Sequence, residues 1–164
     1  MKTSLNVGCG ERTYEQYPDG YLCTNLDERS ELPNVDIMCD VRDMSAFKKG
    51  QFNYILASDI LEHFPISQTS DVLKVWMTVL SDGGTIELRV PNFNAIIKHY
   101  KEHNNMQHIS WMLMGGQNYA GNFHYIVFNE KWLREICESV GLKFCSCVDE
   151  GPNIVMKLKK VEVC

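Results

Sequence analysis

The sequence predicts an α/β fold, a mostly parallel seven-stranded sheet with helices between strands and an antiparallel hairpin at its C-terminal end. Three observations predict it. Short apolar segments recur through the N-terminal half, each ending at a polar or small residue. Segments with a helical period separate the later ones. Strict alternation then returns in two runs flanking a turn after Gly141. Strands that end in polar residues and are joined by helices form a parallel sheet whose binding crevice lies at the strand carboxyl ends.

Taken in order, Leu5-Asn6-Val7 stops at Gly8-Cys9-Gly10, and Tyr21 to Leu26 ends at Asp27. Val35 to Cys39 ends at Asp40, and Phe52 to Ala57 ends at Ser58-Asp59. Ser67 to Leu80 reads as a helix, with Val72, Leu73, Val75, Trp76, Val79 and Leu80 on its apolar stripe, a serine to cap it and an Asp82-Gly83-Gly84 turn to stop it. Thr85 to Val90 is the fifth strand, ending at Pro91-Asn92. Phe93 to His103 is a helix opened by Asn92, and Glu130 to Val140 another closed by Gly141. Leu142 to Val148 and Ile154 to Val161 form the hairpin around Asp149-Glu150-Gly151-Pro152-Asn153. Residues 104–129 form an irregular insertion of the kind that serves as a lid or substrate loop.

The chain's 164 residues suit a single domain, 1–164. With 16 basic against 21 acidic residues its net charge is −5, the wrong sign for a protein that gains affinity by neutralising phosphates. No nucleic-acid partner is expected. No apolar run approaches the roughly 20 residues that span a bilayer, and the N-terminus enters the glycine turn without a signal-peptide stretch. The 7 cysteines lack C-x-x-C spacing. Reduced thiols, a cytoplasmic location and no metal are the expectation.

Glycines at 8 and 10 allow close backbone approach to a ligand. A dinucleotide fingerprint would add a third glycine at 13, where Thr13 stands, and no lysine is placed for a phosphate loop. Acceptors at successive strand ends, namely Asn25, Asp27 and Asp40, suit the ribose hydroxyls and the amino group of an adenosine.

Together these segments resemble the ordered motifs of class I S-adenosylmethionine-dependent methyltransferases. They are Leu5 to Gly10, Asn25-Leu26-Asp27, Cys39 to Asp43, Ala57 to Phe64 with its Leu61-Glu62-His63, and Leu80 to Gly84. More narrowly, Gly115-Gly116-Gln117 followed by His124 and Phe128 is similar to small bacterial and phage members of the methyltransferase type 11-like kind. The resemblance implies a Rossmann-like sandwich that binds S-adenosylmethionine and releases S-adenosylhomocysteine. It implies that Gly8, Cys9 and Gly10 admit the methionine part, that Asp40 and the Val41 backbone N–H meet the adenine, and that Ser58 and Asp59 border the methyl group. Two positions depart from the family pattern: Asn6 and Asn25 stand where acids are usual, and Asp27 is the candidate replacement for the second. The crossover between the first two strands is short for a helix.

Methyl transfer asks the protein mainly to align nucleophile, methyl carbon and sulfur. A hydroxyl acceptor also needs a base, for which His63 and His124 are the candidates. Gln117, Tyr119 and His124 are the candidate substrate contacts. The expected activity is methylation of a small-molecule or glycan acceptor at a hydroxyl oxygen, the glycan following from the resemblance alone. A catalytically weak or inactive member of the fold, binding the cofactor or a protein partner, is the alternative.

Overall fold

One mixed sheet organises the chain, and the computed structural model describes residues 3–14, 16–17, 21–29 and 31–161 of it. The first two residues of the N-terminal reading, and Cys164 among the cysteines, lie outside the described residues. The strands are β1 (Thr3–Val7), β2 (Gln16–Tyr17), β3 (Tyr21–Asp27), β4 (Ile37–Met38), β5 (Phe52–Ser58), β6 (Leu80–Pro91), β7 (Leu142–Glu150) and β8 (Asn153–Lys160). Seven run in the order β2-β3-β1-β5-β6-β8-β7, and β4 pairs with β3 beside that path. β1, β3, β4, β5 and β6 pair in parallel, whereas β8 lies antiparallel between β6 and β7. The helices are α1 (Ile66–Val79), α2 (Phe93–His103), α3 (Met106–Met114) and α4 (Glu130–Ser139), with a single 3-10 turn at Leu61–His63.

The period-2 rule assigns the faces. Leu5 and Val7 align with Ile55 and Ala57, these with Ile86 and Leu88, and these with Leu158 and Met156. That row joins Val72, Leu73 and Trp76 of α1 and Leu133 and Cys137 of α4 in one buried core. The alternate row is mostly polar: Ser4 and Asn6, then Tyr54 and Leu56, then Glu87. Its polar groups are paired. The Tyr54 hydroxyl donates to Glu87, and Lys157 lies 3.1 Å from the same carboxylate.

Three expectations change: the irregularity of the insertion, the Asp82-Gly83-Gly84 stop and the serine cap of α1. As its shortness predicts, the link between β1 and β3 holds no helix among its described residues. It contains β2, antiparallel to β3, and residues 12–14 lie beside β1 and β3 by hydrogen bonds to Asn6 and Asn25. The insertion is not wholly irregular, because Asn105 accepts from the His108 N–H and starts α3. Asp82-Gly83-Gly84 does not stop a helix ahead of a separate strand. It lies within β6, where the register shifts between Phe52 and Tyr54 absorb the extra residues. The other helix starts follow the expected chemistry, with Asn92 and Asn129 side chains accepting from the backbone two and three residues on. The expected serine cap of α1 is absent; Pro65 occupies that place without a side-chain bond.

One buried contact links the core to the crevice. Trp76 is fully buried, and its indole N–H donates to the Val41 carbonyl at 2.9 Å. Trp76→Phe strands that carbonyl, and urea unfolding is expected to show a loss of about 1–3 kcal/mol.

Candidate functional site

Every parallel strand delivers its carboxyl end to one edge, and two clefts meet there. The smaller, about 340 Å³, is lined by Asp27, Arg29, Asp40, Val41, Ile60 and Phe64 among others. The larger, about 700 Å³, is lined by Cys9, Gly10, Ser58, Glu62, Trp111 and His124 among others. Gly8, Arg29, Asp59, His63 and Tyr119 border both. β1 turns into this junction at Gly8, whose φ of +62° is left-handed and whose added Cβ would lie 2.7 Å from the Ile60 side chain. Cys9 is buried beside it, and burial followed by the charge of Asp27 pushes its thiol up to about 11.

The two strand-end acids are each closed by an arginine two residues on. The Arg29 backbone N–H and Nε donate to Asp27 at 3.0 and 2.9 Å, and the Gly10 N–H donates to its other oxygen at 2.8 Å. Arg42 holds Asp40 the same way, with its N–H at 2.8 Å and Nε at 2.9 Å. Burial raises the Asp27 carboxyl, but the Arg29 side chain and the two backbone N–H groups outweigh it and leave it below the usual carboxylate value. For Asp40 the Arg42 side chain is the main cause of a lowered value. Two Asp-x-Arg triplets, Asp27-Glu28-Arg29 and Asp40-Val41-Arg42, were the sequence signal for these clips. The arginines had not been singled out.

Asn25 does not join this site. Its amide accepts from the Tyr14 N–H and donates to the Tyr14 carbonyl and to Asp36, so it clamps the segment beside β3 and lines neither cleft.

At the end of β5 the chain reverses at Asp59, which has a φ of +55°. Arg12 at 3.1 Å, Arg89, Asn153 at 3.2 Å and Ser58 at 3.1 Å all donate to its carboxylate. The 3-10 turn that follows places Glu62 and His63 at the mouth of the larger cleft. Glu62 is fully buried, and neither carboxylate oxygen has a hydrogen-bond partner among the described residues. Burial first, and the charge of Asp59 second, push its carboxyl well above the usual range.

The insertion reaches this turn through one backbone bond and one bond from a side chain to a carbonyl. The Tyr125 N–H donates to the Glu62 carbonyl at 2.9 Å, and His63 Nδ1 lies 3.0 Å from the Phe123 carbonyl. His124 thereby stands edge-on to His63, with ring centroids 4.9 Å apart, and its own Nδ1 lies 3.0 Å from the Met112 carbonyl. A carbonyl only accepts, so each Nδ1 carries the proton of the neutral ring and Nε2 keeps its lone pair. Burial lowers both imidazoles from their ordinary value, over the pull of the Phe123, Asp59 and Gly121 carbonyls on His63. For His124 the neighbouring His63 adds to the lowering.

Gly115 and Gly116 line the larger cleft, and both pack closely against Asn122. Gly115 has φ +79° and ψ 175°, a region open only to glycine, and an added Cβ would lie 2.6 Å from the Asn122 carbonyl. Gln117 departs from its expected role: its side chain folds back to the Met114 carbonyl at 3.4 Å and lines neither cleft. Tyr119 borders both clefts with Arg29 over its ring at 4.7 Å, and the exposed Trp111 lines the larger.

No protein-family model matches the sequence, and no curated protein matches it. Solved structures do match in fold. An S-adenosylmethionine-dependent methyltransferase from Methanosarcina mazei is 17% identical with a TM-score of 0.69, over 97% of this chain and 92% of that one. The 1,6-didemethyltoxoflavin-N1-methyltransferase of Burkholderia thailandensis, solved with 1,6-didemethyltoxoflavin and S-adenosylhomocysteine bound, is 14% identical with a TM-score of 0.69, over 98% and 71%. A methyltransferase of the same cofactor class from Archaeoglobus fulgidus is 13% identical with a TM-score of 0.64, over 97% and 86%. At such identities the likeness is one of fold. The chain has the Rossmann-like methyltransferase architecture.

Two outcomes follow from this geometry. Gly115→Ala is expected to cost about 1–3 kcal/mol in urea unfolding from backbone strain alone. Because the folded Asp27 carboxyl lies below its unfolded value, its contribution is complete above the unfolded value and is lost as pH falls through the folded one. Unfolding followed below about pH 4 should therefore show wild type and Asp27→Asn converging in stability as the acid protonates.

Proposed function

We propose that this chain transfers a methyl group from S-adenosylmethionine to a hydroxyl oxygen of a small-molecule or glycan acceptor. The observation that carries the reading is the continuous path from an acid-lined cleft, past the Gly8–Gly10 turn, into a second cleft headed by His63 and His124. The residues present fit the cofactor. Asp27 and Asp40 offer acceptors suited to a ribose and an adenine amino group. Each is covered by a guanidinium whose side chain retains access to solvent, 27% for Arg29 and 54% for Arg42, and can move aside. The Gly8-Cys9-Gly10 backbone brings no bulk to the junction, and Ser58 and Asp59 border the larger cleft beside it.

When bound, S-adenosylmethionine supplies a methyl group on a sulfonium, a good leaving group. The protein's part is to align the acceptor and take its proton. An acceptor oxygen that gains the methyl group must give up hydrogen, and the Nε2 lone pair of His124 or His63 receives it. Trp111 and Tyr119 provide apolar surface for the acceptor. The fold is shared with an enzyme solved with 1,6-didemethyltoxoflavin bound, a small molecule. The same fold hosts many chemistries, so the acceptor rests on the site and not on that likeness.

A second reading, an inactive member of the fold that binds weakly, is favoured by one observation: both acids are already saturated by arginines. Calorimetry with S-adenosylhomocysteine separates the two. The enzymatic reading expects saturable binding, lost in Gly8→Arg and weakened roughly 10–100-fold in Asp40→Ala, as expected for one charge-assisted hydrogen bond. Absence of binding in the wild type overturns it. With a turned-over acceptor in hand, His124→Ala should slow turnover about 100-fold or more while leaving cofactor affinity in place.

A further inference from the structure

We propose that Glu62, His63 and His124 form a binding site for a divalent first-row transition metal, zinc by ligand preference, at the head of the larger cleft. Their ligating atoms all lie within 4.8 Å of one another. The inference deepens the methyltransferase reading only in its last step, and the ion's binding does not depend on the cofactor.

Three features of the cluster match what a metal site needs. The first is orientation: each imidazole spends Nδ1 on a backbone carbonyl, Phe123 for His63 and Met112 for His124. Metal-ligating histidines are fixed in this way, which sets the tautomer and leaves Nε2 for the ion. The second is Glu62. A fully buried carboxylate without a donor costs several kcal/mol in its charged form, and a dication adjacent to it offsets that cost directly. Two imidazoles and one carboxylate are also an established ligand set for catalytic zinc, with the fourth position left open. The third is access, because all three residues line the larger cleft and so an open coordination position faces the space assigned to the acceptor.

Closing the site needs modest movement. Zinc lies about 2.0–2.2 Å from nitrogen and oxygen ligands, so the three atoms must draw inward by side-chain rotation. The two bonds that pin residues 123–125 to the 3-10 turn keep both histidines in reach meanwhile. With the ion in place the Nε2 lone pairs are taken, and the ion in place of an imidazole then acidifies the acceptor. A hydroxyl at the open position would lose its proton to solvent more readily than it does in water, and its oxygen would bond to the methyl carbon as the methyl–sulfur bond breaks and S-adenosylhomocysteine leaves with that electron pair.

The remaining histidines make the test demanding. His99, His103 and His108 form a separate cluster, with His99 centroids 4.4 Å from His103 and 4.9 Å from His108, and such clusters also attract metals. The experiment therefore uses the full chain and a His99→Ala/His103→Ala/His108→Ala background, both stripped with chelator and titrated with Zn²⁺ by calorimetry and with Co²⁺ by visible absorption, without cofactor. One ion per chain is expected in both proteins, with the ligand-field bands of a nitrogen- and oxygen-ligated Co²⁺. Glu62→Gln and His124→Ala should each weaken binding by more than the roughly 10–100-fold that follows loss of an outer-shell partner. Glu62→Gln keeps the side-chain shape, and urea unfolding of each variant establishes that it is folded. Binding that is absent from the wild type, confined to the His99 cluster, or unchanged in folded Glu62→Gln and His124→Ala overturns the proposal. Calorimetry with S-adenosylhomocysteine on the same stripped protein tests the methyltransferase reading separately, since metal binding and cofactor binding can each fail alone.

Discussion

The carboxylate of Asp59 is the junction on which the crevice depends. It sits in a left-handed turn and gathers donors from the loop after β1, from β6 and from β8. A charged acceptor with four donors is strongly held, and its displacement would leave Asn153 without this bond and Arg89 with Glu150 alone at the strand ends. Because Asp59 reverses the chain, the next residues form a 3-10 turn over the sheet edge rather than starting a helix at once. That reversal carries Leu61 into the core and leaves Glu62 and His63 facing the larger cleft. The residues closest to the proposed chemistry therefore owe their placement to a neighbour that itself serves chiefly as an anchor.

A shortened version of a familiar architecture has to replace packing with polar pairing. The link from β1 to β3 contains β2 and has no helix among its described residues. The Asn25 amide holds it against the sheet, answering both the donor and the acceptor of Tyr14. Asn6 joins the same network through Arg12 and Asn25. The two asparagines thus have a structural reason: an amide can donate and accept at once, which a carboxylate cannot. Asp27 lies at the cleft, whereas Asn25 does not.

Much of this was legible in the residues. Short apolar segments ending in polar residues identified β1, β3 and β5, alternation identified the terminal hairpin, and Asn92 marked the start of α2, because burial and capping leave local signatures. Other features depend on distant partners. The two residues of β2 carry no pattern of their own, and α3 is a short apolar-rich segment enclosed by Asn and Gly, whose cap, Asn105, follows another asparagine. Gln117 looked suited to a ligand, yet the close approach of Gly115 to Asn122 turns it back on its own helix end. Glu62 lies within Leu61-Glu62-His63, but a sequence does not reveal whether a carboxylate meets water. Only its apolar surroundings, Ile60, Leu61 and Phe64, hinted that it would be enclosed.

The stitches between residues 123–125 and the turn at Glu62–His63 bear on traffic through the molecule. A flap bolted to the floor it covers cannot lift to admit a guest. Arg29 and Tyr119 border both clefts, so the two spaces share a wall, and a shift of that one guanidinium alters the outline of both at once.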